Sequence, residues 1–373
     1  MLVLQNIIRG YPWGSREVIA NVQGRPVPSP EPEAELWIGA HPDAPSIVDG
    51  QPLDKLIEAA PERFLGASTV SRFGPRLPYL MKLLAAEQPL SVQAHPDPQQ
   101  ARTGYEAEDA AGVPKGSPER SYVDPFHKPE LLVALGDFEA LCGFRPLDES
   151  IAVFRGLGLP ELDGVVDHLT AGSLREALGT LLKMPGIGEA VAARDPFAAR
   201  LARFYPGDAG VAVALLLNHM TLRPGQAVWM PARTLHAYVE GAGIEVMAAS
   251  DNVLRGGLTR KHVNVPELLR VLSFEPAPMP VVSPEPVMPG VVTWPVPVPD
   301  FRLYRVRLAG DGAPVVLDPD GPRAVLCLSG SVTVSDAEGD VTLAGGESAF
   351  GLAGADPLVF TSAGGAEVYV TSL

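Results

Sequence analysis

The sequence predicts a mainly β protein built from two related β-barrels or sandwiches, with a small α-helical insertion. Three observations carry that expectation. Prolines (39) and glycines (38) are scattered among short apolar runs over all 373 residues, both above their average usage of roughly 5% and 7%. Near the C-terminal end Tyr304, Val306 and Leu308 alternate with Arg305 and Arg307, the period of a half-buried strand. A weak internal repeat relates Leu222-Arg-Pro-Gly225-Gln-Ala-Val-Trp229 to Leu343-Ala-Gly-Gly346-Glu-Ser-Ala-Phe350, each reading as strand, glycine turn, strand. Fourteen residues after Leu222 stands His236, whereas the matching position after Leu343 is Pro357. The second copy therefore lacks the histidine.

Length points to two or three domains, at roughly 150 residues each. The chain is 46% hydrophobic and 20% charged, with a net charge of −15. This composition excludes a disordered chain and argues against a nucleic-acid partner, which calls for a basic surface. A local basic cluster can still receive a small anion. Cys142 and Cys327 are too few for a disulfide framework or a zinc ribbon, so an intracellular, cytoplasmic location is expected. No run approaches the ~18 apolar residues of a membrane span, so no membrane partner is expected. The opening Met1–Asn6 shows no signal-peptide pattern. A monomer is the expected state.

Along the chain, residues 1–145 mix short strands with turns. Pro52–Ala60 reads as a short helix, and Tyr79–Leu84 and Pro89–Ala94 as strands. Asp97-Pro98 opens a helix, as N-cap and first helical residue, and Gly104–Asp124 reads as a loop. Residues 146–210 read as the helical insertion. There Ser173-Leu-Arg-Glu176 has the spacing of a capping box, and Glu189–Arg203 carries an apolar stripe. Strands return over 211–272. The stretch 273–300 holds nine prolines, which suit extended chain and not an interior strand. It opens the last domain, 273–373.

Four stretches concentrate chemistry. In Ser91-Val-Gln93-Ala-His95-Pro96-Asp97, a strand would place Ser91, Gln93 and His95 on one face. In His127-Lys128-Pro129-Glu130, a glutamate directly precedes an apolar strand. In Pro231-Ala-Arg-Thr-Leu-His236-Ala-Tyr238, His236 and Tyr238 share a face after a proline turn, the form of the second metal motif of cupin barrels. Glu245 lies between apolar neighbours, ahead of Ser250-Asp251-Asn252-Val-Leu-Arg255-Gly-Gly-Leu-Thr259-Arg260-Lys261.

In this order, and together with Tyr11-Pro-Trp13-Gly14, Ala34-Glu35-Leu36-Trp37 and Pro78-Tyr-Leu-Met-Lys82, these stretches resemble type I mannose-6-phosphate isomerases. That zinc-dependent family has a bicupin fold of two jelly-roll domains. Gln23–Pro32 departs from the family pattern without touching a ligand. The resemblance implies one Zn²⁺ held by Gln93, His95, Glu130 and His236, a catalytic role for Arg255, and mannose 6-phosphate and fructose 6-phosphate as substrates. It implies proton transfer between C1 and C2 through a zinc-stabilised cis-enediol. With neutral glutamine and imidazoles and a single carboxylate, the site would keep one net positive charge. Lys82, Arg255 and Lys261 are candidates to meet phosphate, with Ser91 as hydroxyl donor. Trp13, Tyr238 and Glu245 are candidate substrate contacts. Lys128, Asp251 and His127 are candidates for the proton shuttle. Two other readings compete: an iron-dependent cupin oxygenase and a non-catalytic sugar-binding bicupin. The glutamine ligand and the lysine/arginine cluster fit oxygen chemistry poorly, and a binding protein needs no acid–base set.

Overall fold

The computed structural model describes residues 1–373. Its first sheet runs, in pairing order, Val281–Val282, Ala227–Met230, Glu130–Ala134, His236–Ala248, Tyr79–Ala86, Glu35–Ile38 and Ile7–Arg9. The 13-residue strand His236–Ala248 ties this sheet to a second one. Its start, His236–Glu240, pairs with Phe138–Phe144 and with Gln93. Its remainder, Gly241–Ala248, runs between Tyr79–Ala86 and Glu130–Ala134. The change of partner falls at Gly241, at φ +135°, where an added Cβ would lie 2.6 Å from the Phe138 ring; only glycine allows that approach. Val92–Ala94 and Leu254–Gly257 extend the second sheet. The two sheets face each other across a core that includes Leu84, Leu132, Phe138, Ala140, Met220 and Val228.

The C-terminal part repeats this plan. Strand Arg323–Asp336 crosses between two sheets as His236–Ala248 does, around an apolar interior of Val306, Val325, Val334, Leu343, Phe360 and Val368. The hairpin turns of the internal repeat coincide, with Gly225 at φ +84° and Gly346 at φ +80°. The outer face of the first sheet (Met81, Leu83, Leu131, Ile244, Val246) shares one continuous core with Trp294, Phe301, Leu326, Phe350 and Tyr369 of the C-terminal part. The outer face of the second sheet (Val92, Leu141, Leu235, Val239) is covered by the helices of residues 147–202, through Phe154, Leu178, Val191 and Leu201.

Several expectations change. The helix capped by Asp97 extends to Ala110, so the loop begins later than Gly104. Asp97 and Gln100 do form a reciprocal capping box. Ser173 starts a helix but makes no side-chain capping bond. The Glu189–Arg203 stripe is two helices, Ile187–Ala192 and Pro196–Ala202, because Pro196 begins a new one. The proline-rich stretch does form strands, Val281–Val282, Glu285–Met288 and Val291–Thr293; the first two are sheet edges, where missing N–H groups cost nothing, but Val291–Thr293, which holds no proline, is an interior strand between Glu285–Met288 and Arg302–Leu308, against the expectation. Strand Leu2–Leu4 pairs with Ser348–Phe350 of the C-terminal sheet, so pairing does not follow a domain division that assigns residue 1 onward to the first sandwich.

Candidate active site

Residues directly opposite each other in a sheet share a face. In the second sheet this places Arg255, Gln93, His236 and Cys142 in one row across four strands. In the first sheet the row is Trp37, Lys82, Glu245 and Leu132. Glu130 precedes Leu132 by two residues and so shares its face. The strands thus turn all these groups toward the space between the sheets.

There His95, Glu130 and His236 converge. Glu130 Oε2 lies 3.3 Å from His95 Nε2 and 3.2 Å from His236 Nε2, and all three atoms are buried without a hydrogen-bond partner. Each histidine spends its other nitrogen on a backbone carbonyl: His95 Nδ1 on Asn252 at 2.7 Å, His236 Nδ1 on Thr234 at 2.9 Å. That fixes the tautomer and leaves the Nε2 lone pairs facing a carboxylate oxygen. Burial holds the His95 pKa down, at about 4, so it faces Glu130 as neutral imidazole. Glu130 is kept well below the usual carboxylate range: burial pushes it up, and the Lys128 ammonium leads the contacts that bring it down. Three lone pairs pointing at one another, uncompensated, repel. The arrangement suits a metal cation, and a two-nitrogen, one-oxygen set fits zinc. Gln93 is directly opposite His236 in the sheet and shares its face.

Lys128 places Nζ 2.8 Å from Glu130 Oε1. Lys82 is buried with Nζ 2.8 Å from Glu245 and 3.4 Å from Glu35. Burial alone would lower its pKa, yet Glu245, Glu35 and Glu130 raise it. Lys82 is therefore a cation already paired with two carboxylates. Tyr238 donates its hydroxyl to Glu245 Oε1 at 2.7 Å, and burial beside Glu245 and Glu130 pushes its pKa well up. It is a neutral donor, already engaged.

Asp251 is partly exposed, and its Oδ2 lies 3.2 Å from His41 Nε2. Burial pushes the carboxyl up, but His41, Lys128 and Lys82 bring it below its ordinary value. Arg255 is partly desolvated, which lowers its pKa; Lys261 is lowered by desolvation and then by Arg255. No carboxylate acts on either, which leaves two cations free to meet an anion. Trp13 stacks on Tyr11 at 5.6 Å and packs against the apolar end of the interior. Ser91, two residues before Gln93, is half-buried. His127 is turned aside: its Nε2 meets Asp300 Oδ1 at 3.0 Å.

Four residues of this site were given no role by the sequence expectations. Glu35 accepts from the Trp37 indole at 2.8 Å and pairs with Lys82. His41 holds Asp251. Asn252 accepts from the Val123 and Asp124 amides and donates to the Asp124 and Phe126 carbonyls, knitting the segment before Glu130 to the carbonyl that fixes His95. Asp300 reaches His127 from the C-terminal part. The alternation Glu35–Trp37 within an apolar strand was a usable signal; the others depend on pairings far apart in sequence.

A jelly-roll sandwich with an inward His–Glu–His cluster beside unpaired cations defines a metal-dependent cupin enzyme for an anionic substrate. Residues 1–147 match the family model described as phosphomannose isomerase type I, catalytic domain. The mannose-6-phosphate isomerase of Escherichia coli strain K12 is 38% identical over 324 residues, covering 81% of this chain and 83% of that protein. The human mannose-6-phosphate isomerase is 32% identical over 356 residues, covering 81% of each. A crystal structure of mannose 6-phosphate isomerase from Salmonella typhimurium, bound to fructose 6-phosphate and zinc, superposes with a TM-score of 0.89 at 33% identity and covers 100% of both chains. The chain belongs to the type I mannose-6-phosphate isomerase family.

Proposed function

We propose that this chain interconverts mannose 6-phosphate and fructose 6-phosphate, with one zinc ion held by Gln93, His95, Glu130 and His236. The observation that carries the reading is the convergence of the unpartnered His95, Glu130 and His236 atoms on the face that also presents Arg255. When bound, zinc supplies Lewis acidity toward the oxygens of the open-chain sugar. The protein's own residues do the rest. Lys128, fixed at 2.8 Å from Glu130, is the shuttle: as the free amine it takes the proton from C2, and the ammonium so formed returns it to C1. Asp251, held below its ordinary pKa by His41 and the lysines, is a poor base and serves as a fixed acceptor that orients Lys128 or a sugar hydroxyl. Arg255, opposite Gln93, balances the charge of the enediolate, since a guanidinium stays protonated. Lys261, beyond Arg255 in the same segment, holds the phosphate with Ser91. His127, turned to Asp300, is a structural neighbour of the shuttle.

Residues 1–145 with 211–272 are taken as the catalytic unit, 146–210 as its insertion and 273–373 as the unit without metal. No helix is long and apolar enough to cross a membrane, and both cysteines are free and buried; a monomeric, cytoplasmic enzyme fits these features. Conversion of mannose 6-phosphate, followed with and without a chelator and alongside metal analysis, tests the whole reading. An oxygenase consumes oxygen and leaves the sugar phosphate unisomerised, and a binding protein retains it unchanged; either result removes the proposal.

A further inference from the structure

The helices of residues 147–202 make no contact with the metal cluster, but they lead into Asp208, which bridges two parts of the chain. Its Oδ1 accepts from the Gly210 amide at 2.6 Å, and its Oδ2 accepts from the Thr259 amide at 2.9 Å. The two backbones touch here. A Cβ on Gly210 would lie 2.3 Å from the Leu258 nitrogen, and one on Gly257, at φ +123°, would lie 2.3 Å from the Gly210 Cα. Between the touching glycine and Thr259 stands Leu258, buried and at φ +50°, a left-handed conformation that a leucine holds only when its surroundings fix it. Thr259 passes the constraint on: its hydroxyl accepts from the Lys261 amide at 3.0 Å. Arg255 lies on the strand that enters this turn and Lys261 on the segment that leaves it.

We infer that Asp208 is a positioning residue, through which the helical insertion holds the Gly257–Lys261 turn so that Lys261 meets the substrate phosphate. Asp208 is not itself an anion contact. A carboxylate beside phosphate repels it, and both oxygens here are spent on backbone amides. This inference rests on the reading that Lys261 meets the phosphate.

The test compares Asp208→Asn, Lys261→Ala and the control Asp195→Asn in zinc-loaded enzyme. Asp195 also bonds a backbone amide, that of Ala198 at 2.8 Å, but serves only its own helix. Asp208→Asn replaces one acceptor oxygen by an amino group that cannot accept from an amide, a loss comparable to one charge-assisted hydrogen bond. It should raise KM for mannose 6-phosphate, and the inhibition constant of inorganic phosphate, by about tenfold. Its kcat should stay within about twofold and its zinc content should not change. Asp195→Asn should leave KM and the phosphate constant where they were. Three results overturn the inference: a lower melting temperature with KM unmoved in Asp208→Asn, a fall in kcat without a rise in KM, or equal KM effects in both aspartate variants. If Lys261→Ala raises the phosphate constant and Asp208→Asn does not, the inference falls alone. If Lys261→Ala leaves that constant unchanged, the phosphate reading falls and takes the inference with it.

Discussion

Across the first sandwich one inward row reads Trp37, Lys82, Glu245, Leu132. Across the second, the comparable row reads Val291, Val306, Val368, Cys327. Both sandwiches have a long strand shared by two sheets and a hairpin turned at a positive-φ glycine. The second fills its interior with side chains that need no partner. The first gives up part of its interior to charged groups, each of which must be matched: Lys82 by Glu35 and Glu245, Glu130 by Lys128, Asp251 by His41. The contrast teaches that a polar site inside a jelly roll depends less on new backbone than on a closed set of pairings. It also shows where the set is left open, at the His95–Glu130–His236 lone pairs and at the Arg255–Lys261 cations.

Breaking the open end of the set should have the largest effect. His236→Ala should abolish activity and remove stoichiometric zinc; full zinc occupancy in that variant would take His236 out of the ligand set. Breaking the closed end should cost stability. Lys82→Met leaves two buried carboxylates without their cation and should destabilise the fold by about 3–5 kcal/mol, most of it recovered when Glu245 is also made leucine. The Lys82 pKa is raised on folding, so its contribution is complete below the unfolded value of about 10.4 and fades only as pH climbs through the folded one. The penalty in urea unfolding should therefore not shrink between about pH 6 and about pH 9, and should grow as the uncompensated, burial-raised Glu245 is forced to ionise; a penalty that halves across that span contradicts a lysine held charged by the fold.

Arg255→Ala should lower kcat by on the order of 10²–10³ if its contact forms mainly in the transition state. A raised KM at unchanged kcat makes it a ground-state anchor instead. The smallest effect sharpens the comparison from the other side. Pro357→His restores a histidine where the repeat lacks one, but the interior there offers no glutamate or second imidazole. Stability should change by less than about 1 kcal/mol and zinc should stay at one per chain. A second equivalent of zinc would mean that the apolar sandwich is closer to a metal site than its lining shows.

His95, Glu130 and His236, which the fold brings together, were legible because each sits in a short local pattern (a strand end before proline, a glutamate heading an apolar strand, a histidine after a proline turn) whose order resembles the family's. Their matching partners were not. Glu35 and Lys82 are neighbours only because two strands pair in one register. Asp300 meets His127 across the core shared by both sandwiches, and nothing near either residue announces the other. Spacing alone also misled. Ser173 and Glu176 have the separation of a capping box, yet Ser173 sits at φ −98°, ψ 67° and makes no capping bond. Asp97, followed by a proline that presets the first helical φ, does. The proline-rich linker shows the same limit: composition argued against interior strands, yet the proline-free Val291–Thr293 within it is paired on both sides.

The pairing of Leu2–Leu4 with Ser348–Phe350 sets an order of events during synthesis. A chain emerging from the ribosome presents this strand ahead of all the catalytic strands, but the strand's neighbour in the sheet emerges only after them. At about 5–20 residues per second, that strand waits on the order of tens of seconds with its edge unsatisfied. The catalytic strands between can pair as they emerge. Leu4 reaches the core shared by both sandwiches only when the C-terminal sheet arrives to receive it, so the molecule is sewn shut from its two ends after everything that does chemistry has been made.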